Sequence, residues 1–274
     1  MSRTELSDTA LEAEVNALLS SRKYRGLGIP PETVRSLLAQ ELSRRRSFRE
    51  AVQSVREKLH NIVAPYLGDP DPAAALASLD AALAENTPQA LQTACREILA
   101  AHASTRERLP ILEQFYAGIF AVTGRPRVIC DLACGLNPLA FPWMGLPASV
   151  EYHAYDLNQP RVDLLNQCLP RLGLAPLAEA RDILLTPPEI VADVAFFFKE
   201  AHRFEQRQHG CNRPFFESIH ARWLAVSLPT ANLTGSRSLL EGHRLLVYNA
   251  LEGQPWPVTE VLFENEIVFL IDKS

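Results

Sequence analysis

The chain has 274 residues, 47% of them hydrophobic and 22% charged, with a formal net charge of -5. That balance excludes a disordered or fibrous chain, and the length can bury a substantial core as one large domain or two unequal ones. An acidic total argues against nucleic acid as a partner only if the charge is evenly spread, and it is not. Residues 20–60 carry ten Lys and Arg (Arg22, Lys23, Arg25, Arg35, Arg44, Arg45, Arg46, Arg49, Arg56 and Lys58) against four Glu, a local +6 set against -11 elsewhere. On charge alone, this stretch suits a solvated helical face as well as a phosphate-binding one.

The first 125 residues read as short helices. Leu11, Val15, Leu18 and Leu19 recur at helical spacing, as do Val34, Leu37, Leu38 and Leu42 after the Pro30-Pro31 start. Further helical patterns cover roughly 47–67, 73–84 and 88–101, with a break at Asp69-Pro70-Asp71-Pro72. From about residue 126 the texture changes to short apolar runs: RVICDLA, VEYHAYD, LAEARDIL, VADVAFFFK, RWLAVSLP and VTEVLFENEIVFLID. Helix-like stretches such as 159–172 and 203–220 separate them. Strands alternating with helices predict a doubly wound α/β domain, its parallel sheet covered on both faces. The final run turns at Glu264-Asn265, which predicts an antiparallel hairpin closing the sheet. The expected division is a helical N-terminal domain over 1–104 and an α/β domain over 105–274.

The five cysteines (Cys95, Cys130, Cys134, Cys168 and Cys211) are scattered and contain no CxxC pair, which argues against a disulfide framework or a zinc site. The opening MSRTELSDTALEAEV is too charged for the apolar core of a signal peptide, and no run approaches the roughly 20 apolar residues of a membrane span. The expectation is a cytoplasmic protein with neither metal nor membrane as a partner.

In an open α/β sheet, ligands bind beyond the carboxyl ends of the strands. The first strand ends in Asp131-Leu132-Ala133-Cys134-Gly135-Leu136-Asn137-Pro138, where Gly135 lets a ligand approach the backbone. The second ends in Tyr155-Asp156, with Asp156 placed 21 residues after Gly135 to accept hydrogen bonds from ribose hydroxyls. The third is followed by Arg181-Asp182-Ile183, placed to flank a base, and the fourth ends at Lys199. Singly, an acidic residue ending a strand is as often a helix cap. The ordered set points to a nucleoside cofactor. A single-glycine turn without GxGxxG suits S-adenosylmethionine, which has no pyrophosphate to cradle, better than a dinucleotide. Another nucleotide-binding fold, or an inactive one, stays open on spacing alone.

The run His102-Ala103-Ser104-Thr105-Arg106-Glu107-Arg108-Leu109, with DLACGLNPLA over 131–140 and PWMGLP over 142–147, resembles the aminoglycoside-resistance 16S rRNA methyltransferases that modify N7 of guanine 1405. The resemblance extends to Ser21-Arg22-Lys23-Tyr24, Pro31-Glu32-Thr33-Val34-Arg35 and Lys58-Leu59-His60, and so covers nearly the whole chain. It implies a SAM-dependent methyltransferase fold acting on 16S rRNA within the assembled 30S subunit. By position, it implies Arg108 against the methionine carboxylate, Ala133 and Gly135 at the turn, Asp156 at the ribose, and Leu157 as a further cofactor contact. Asp182 and Ile183 then border the adenine, and Lys199 is a candidate catalytic or cofactor-contacting residue. The implied rRNA contacts are Arg22, Lys23, Arg25, Arg35, Lys58 and His60.

The last third departs from the family pattern. A Leu-Pro-containing stretch is replaced by Glu200-Ala201-His202-Arg203. A family lysine is Ala231, a Gly-Met pair is absent from 235–243, and Glu264 stands where the family has glycine before Asn-Glu. A homologue with another RNA target, or with little transferase activity, is the alternative these departures raise. Methylation at N7 uses an in-plane lone pair and needs no general base, so positioning and base extrusion are the expected mechanism. His102, His202 and His243 read as RNA contacts, caps or packed residues. Trp143, Trp223 and Trp256 read as core, and Phe196-Phe197-Phe198 as a buried strand.

Overall fold

The computed structural model describes residues 8–45, 47–63, 68–231 and 238–274. Arg46 of the basic stretch and residues 232–237 of the divergent segment lie outside the described residues.

The chain opens with α1 (Asp8–Leu19), α2 (Pro31–Arg44) and α3 (Phe48–Val63). Their apolar faces meet in a core of their own, built on Val15, Leu18, Val34, Leu37, Leu38, Val55 and Leu59. Next come α4 (Pro72–Glu85) and α5 (Pro88–Ala101). Both starts are written locally: Asp71 and Thr87 accept hydrogen bonds from Ala74 N and Ala90 N, and proline follows each in the first turn. These two helices do not join the first three. Ala75, Leu79, Cys95, Ile98 and Leu99 pack into the core that lies against the sheet. The division expected at residue 104 therefore runs through a shared core, because an amphipathic helix does not record which partner its apolar face will meet.

After α6 (Ala103–Arg108) and α7 (Leu112–Thr123), the sheet is laid down. Its strands are β1 (Val128–Leu132), β2 (Glu151–Asp156), β3 (Ala178–Ala180), β4 (Ala192–Phe198), β5 (Ala221–Pro229), β6 (Val258–Leu262) and β7 (Glu266–Asp272). The order is β3-β2-β1-β4-β5-β7-β6. The first five are parallel, and β7 inserts antiparallel between β5 and β6, its hairpin partner. Helices α8 (Gln159–Cys168), α9 (Ala201–Arg207), α10 (Asn212–Ser218) and α11 (Leu240–Leu251) complete the fold. The helical stretch expected over 203–220 is broken: Gly210, at φ 76°, separates α9 from α10.

The strands read as near-continuous apolar runs because both faces are buried. Phe196 and Phe198 face the core shared with α4, α5 and α7, while Phe197 faces the core shared with α9, α10 and α11. Trp223 is buried, and Trp143 and Trp256 pack against these cores as expected. All five cysteines are buried and unbridged. Among the described residues no helix is long and apolar enough to cross a membrane, and no cluster of three or more His, Cys, Asp or Glu could hold a metal ion.

Candidate active site

A cleft of about 140 Å³ opens at the carboxyl ends of β1 to β4. Its floor begins where β1 ends. Ala133 (φ 54°) and Gly135 (φ 55°) are both left-handed, a conformation that strains any residue carrying a Cβ. A Cβ added at Gly135 would stand 3.0 Å from Cε1 of His102, so this glycine is required by the turn and by its neighbour. The Gly135 amide donates to Oδ2 of Asp156 at 2.9 Å. Oδ1 of Asp156 accepts from Asn158 N and from Nη1 of Arg161, both at 2.9 Å. Arg161 also forks onto Asp69, at 2.8 and 3.1 Å. Glycine turn, strand-end carboxylate and buried arginine thus form one rigid unit.

Asp182 forms the second wall. Its carboxylate accepts from Thr33 Oγ1 at 2.7 Å and from both Nη atoms of Arg207. Beside it Ile183 is buried, and Leu157 packs onto the core of α1–α3. Leu27, Ile29 and Lys58 also line the cleft, so the N-terminal helices supply part of its wall.

Arg108 and Lys199 stand behind the cleft and do not line it. Arg108 forks onto Glu266, with Nη2 to Oε1 at 2.6 Å and Nε to Oε2 at 3.1 Å, and donates from Nη1 to Asn137 Oδ1 at 2.8 Å. Its guanidinium lies between the rings of Phe115 and Phe198, 4.3 and 4.6 Å from their centroids. Lys199 (φ 62°) reaches Glu107 at 2.9 Å and Glu266 at 3.5 Å. Burial alone would raise the Glu266 carboxyl, but the charges of Arg108 and Lys199 hold it below the usual carboxylate range. Asp131 lies in the adjoining network, accepting from Asn137 Nδ2 at 2.9 Å and Tyr152 OH at 2.7 Å. Burial pushes it up to about 7 despite these bonds.

Of the residues singled out from sequence, Ala133, Gly135, Asp156, Leu157, Asp182 and Ile183 meet in this cleft. Among the basic candidates, Arg22, Lys23, Arg25 and His60 are exposed on the N-terminal helices and the loop after α1. Arg35 is forked onto Glu12 at 2.6 and 2.9 Å, and Lys58 pairs with buried Glu41 at 2.8 Å.

Sequence reasoning did not place Thr33, Arg161, Arg207, Glu200 or Glu266 in the site. Arg161 carried a local signal, since Asn158 caps α8 and sets Arg161 one turn beyond Asp156. The others depend on contacts across the fold. Burial pushes the Glu200 carboxyl up to about 8. His102, beside Gly135, is driven down to about 4 by burial and is neutral near pH 7. Burial drives His202 to about 3, and its ring lies 5.6 Å from that of His243, whose Nδ1 is 2.9 Å from the Pro229 carbonyl. All three histidines are packed side chains.

The sheet order, the single-glycine turn and the carboxylate closing β2 define a SAM-dependent methyltransferase. The chain belongs to the FmrO ribosomal RNA methyltransferase family, whose model matches residues 20–270. It is 33% identical to the 16S rRNA (guanine(1405)-N(7))-methyltransferase of Frankia casuarinae, over 96% of this chain and 94% of that one. The enzyme of that name from Micromonospora rosea is 30% identical over 98% and 99% of the two chains. Among solved structures, the 16S rRNA methylase RmtB superposes with a TM-score of 0.79 at 28% identity, covering 96% of this chain and 98% of that one. The 16S rRNA methyltransferase RmtF, in complex with S-adenosyl-L-homocysteine, gives 0.76 at 30% identity with the same coverage.

The family uses S-adenosylmethionine, and the cleft fits its nucleoside. Asp156 has about four acceptor sites and gives three of them to the protein, which leaves one for a ribose hydroxyl. Leu157, Ile183 and Phe204 supply apolar walls suited to a purine face.

Proposed function

We propose that this protein transfers the methyl group of S-adenosylmethionine to N7 of guanine 1405 in 16S rRNA. It acts on the assembled 30S subunit in the cytoplasm and so confers aminoglycoside resistance. The observation that carries this reading is the meeting of Ala133, Gly135, Asp156, Leu157, Asp182 and Ile183 in one cleft. They meet on a chain that spans nearly the full length of relatives named for this reaction.

Asp156 is assigned to the ribose, and Leu157, Ile183 and Asp182 to the adenine. Arg108 and Lys199 support the cleft from behind through Glu266. The cofactor supplies an electrophilic methyl on a sulfonium. Guanine N7 carries its own lone pair, so the protein need not remove a proton, and the neutral, packed histidines suit that demand. The protein holds and orients the two reactants and excludes water, a contribution worth about 7–11 kcal/mol where alignment is good. The rRNA-binding unit is α1–α3, on which Arg22, Lys23, Arg25 and His60 are exposed.

Transfer of tritiated methyl to purified 30S subunits, followed by mapping of the modified base, tests this directly. Label at N7 of guanine 1405, with kanamycin and gentamicin resistance in producing cells, is the expected result. Label at another base would assign another target, and no transfer by abundant folded protein would refute the activity.

A further inference from the structure

Most residues assigned to the cofactor sit at the ends of β1, β2 and β3, one half of the sheet, and Phe204 of α9 joins them from beyond β4. In an open α/β sheet the binding crevice spans the point where strand order reverses, here between β1 and β4. The β4 side is therefore left for the second substrate. The first residues beyond β4 are Lys199 and Glu200. Lys199, in its left-handed conformation, engages Glu107 and Glu266 behind the wall. Glu200 lines the cleft with Phe198 and Arg203.

Glu200 is only 8% exposed, yet its carboxyl accepts no hydrogen bond from any described residue. The nearest cation, Arg203 Nε, lies 3.6 Å away, outside hydrogen-bond reach. A buried carboxyl in this state gains most from a ligand that brings N–H donors to it.

We propose that the Glu200 carboxylate holds the Watson–Crick edge of the target guanine, accepting from its N1–H and its 2-amino group. This rests on the reading of the reaction given above. With N7 turned toward the methyl donor, the N1 and 2-amino edge faces the far side of the purine and is left for the protein to grip. Its two parallel donors match the two oxygens of a carboxylate. Burial favours the neutral carboxyl in the empty cleft, so it is the two donors of the bound guanine, helped by Arg203 at 3.6 Å, that draw Glu200 into the charged form that makes both bonds. Adenine has a lone pair at N1 and no 2-amino group, so the same contact selects guanine. Glu200 would thus set the target base and its orientation.

The test compares wild type with Glu200→Gln, which keeps the shape, and with Glu200→Ala. Methyl transfer to 30S subunits is read beside S-adenosyl-L-homocysteine affinity by calorimetry, 30S affinity by filter binding, and melting temperature. The expected result is a kcat lowered on the order of ten- to a hundredfold, the worth of one bidentate base contact, with both affinities within about threefold of wild type. The melting temperature of Glu200→Gln should not fall, which separates lost positioning from lost folding. Transfer by Glu200→Gln within about threefold of wild type overturns the inference. So does a parallel loss of S-adenosyl-L-homocysteine affinity, which would give Glu200 to the ammonium group of the cofactor instead. Wild type that leaves guanine 1405 unmodified overturns the proposed reaction and this contact with it. Active wild type with equally active variants overturns the contact alone.

Discussion

Thr33, in the first turn of α2, donates its hydroxyl hydrogen to Oδ2 of Asp182 at 2.7 Å, joining residues 149 apart in sequence. Both are buried, and Asp182 is also gripped by Arg207. One bond therefore ties the basic helical unit to the wall assigned to adenine. With Asp182 assigned to the adenine, this bond is the route by which a shift of α2 would reach the cofactor and, by linkage, the cofactor would reach α2.

Thr33→Val keeps the shape and removes that donor. A buried hydrogen bond to a charged acceptor is worth about 1.5–3 kcal/mol, so stability should fall by that order. S-adenosyl-L-homocysteine affinity should fall with it. Denaturant midpoints and calorimetry check both. Unchanged cofactor affinity would show that Asp182 is held well enough by Arg207 and the Leu184 amide.

Arg108→Ala leaves Glu266 buried beside Lys199 only. Breaking a buried pair from one side costs about 3–5 kcal/mol, whereas the double change Arg108→Met with Glu266→Leu should recover most of that loss. Urea denaturation is the measurement. A loss of methyl transfer at an unchanged midpoint would instead place Arg108 on a ligand.

Glu41 in α2 is buried, which alone would raise its pKa, but hydrogen bonds from Lys58, Ser54 and Arg45 hold it down to about 2. A carboxyl depressed in the fold stabilises above its unfolded value and loses that contribution as pH falls through its folded value. The α1–α3 unit should therefore weaken between about pH 4.5 and pH 2. Thermal melts of Glu41→Gln should be lower at pH 7 and flatter across that window. Melts as steep as those of wild type would remove Glu41 as the cause.

Charge reversal at exposed Arg22 or Lys23 should weaken 30S binding and reduce its salt slope by about 1 per lost phosphate contact, leaving cofactor affinity intact. Lys58→Glu should behave differently. It destroys the pair with Glu41 and alters the cleft lining, so melting temperature and cofactor affinity should drop as well. Equal effects at all three positions would contradict this separation.

The parallel strands were legible because burial on both faces writes them as apolar runs, as Phe196-Phe197-Phe198 illustrates. The meeting of the strand-end residues in one cleft was legible because fold topology sends every strand end to the same place. Asp156 and Asp182 could be named before any side-chain partner was known. The allegiance of α4 and α5 was hidden, since an apolar helical face carries no address. So was the pairing of Arg108 with Glu266, which lie 158 residues apart. The charge count of the basic stretch did not show its pairings: Arg35 is bound to Glu12, which lies outside the stretch, and Lys58 to Glu41 within it. Local composition cannot show which cations tertiary contacts will claim.

The five buried thiols make the chain its own reporter of opening. Burial shields each sulfur and pushes its pKa up, so a thiol reagent must wait for the surrounding structure to part. Cys95 and Cys168 sit on one side of the sheet, Cys211 on the other. Their separate alkylation rates would time the parting of the two layers independently and reveal which face loosens first.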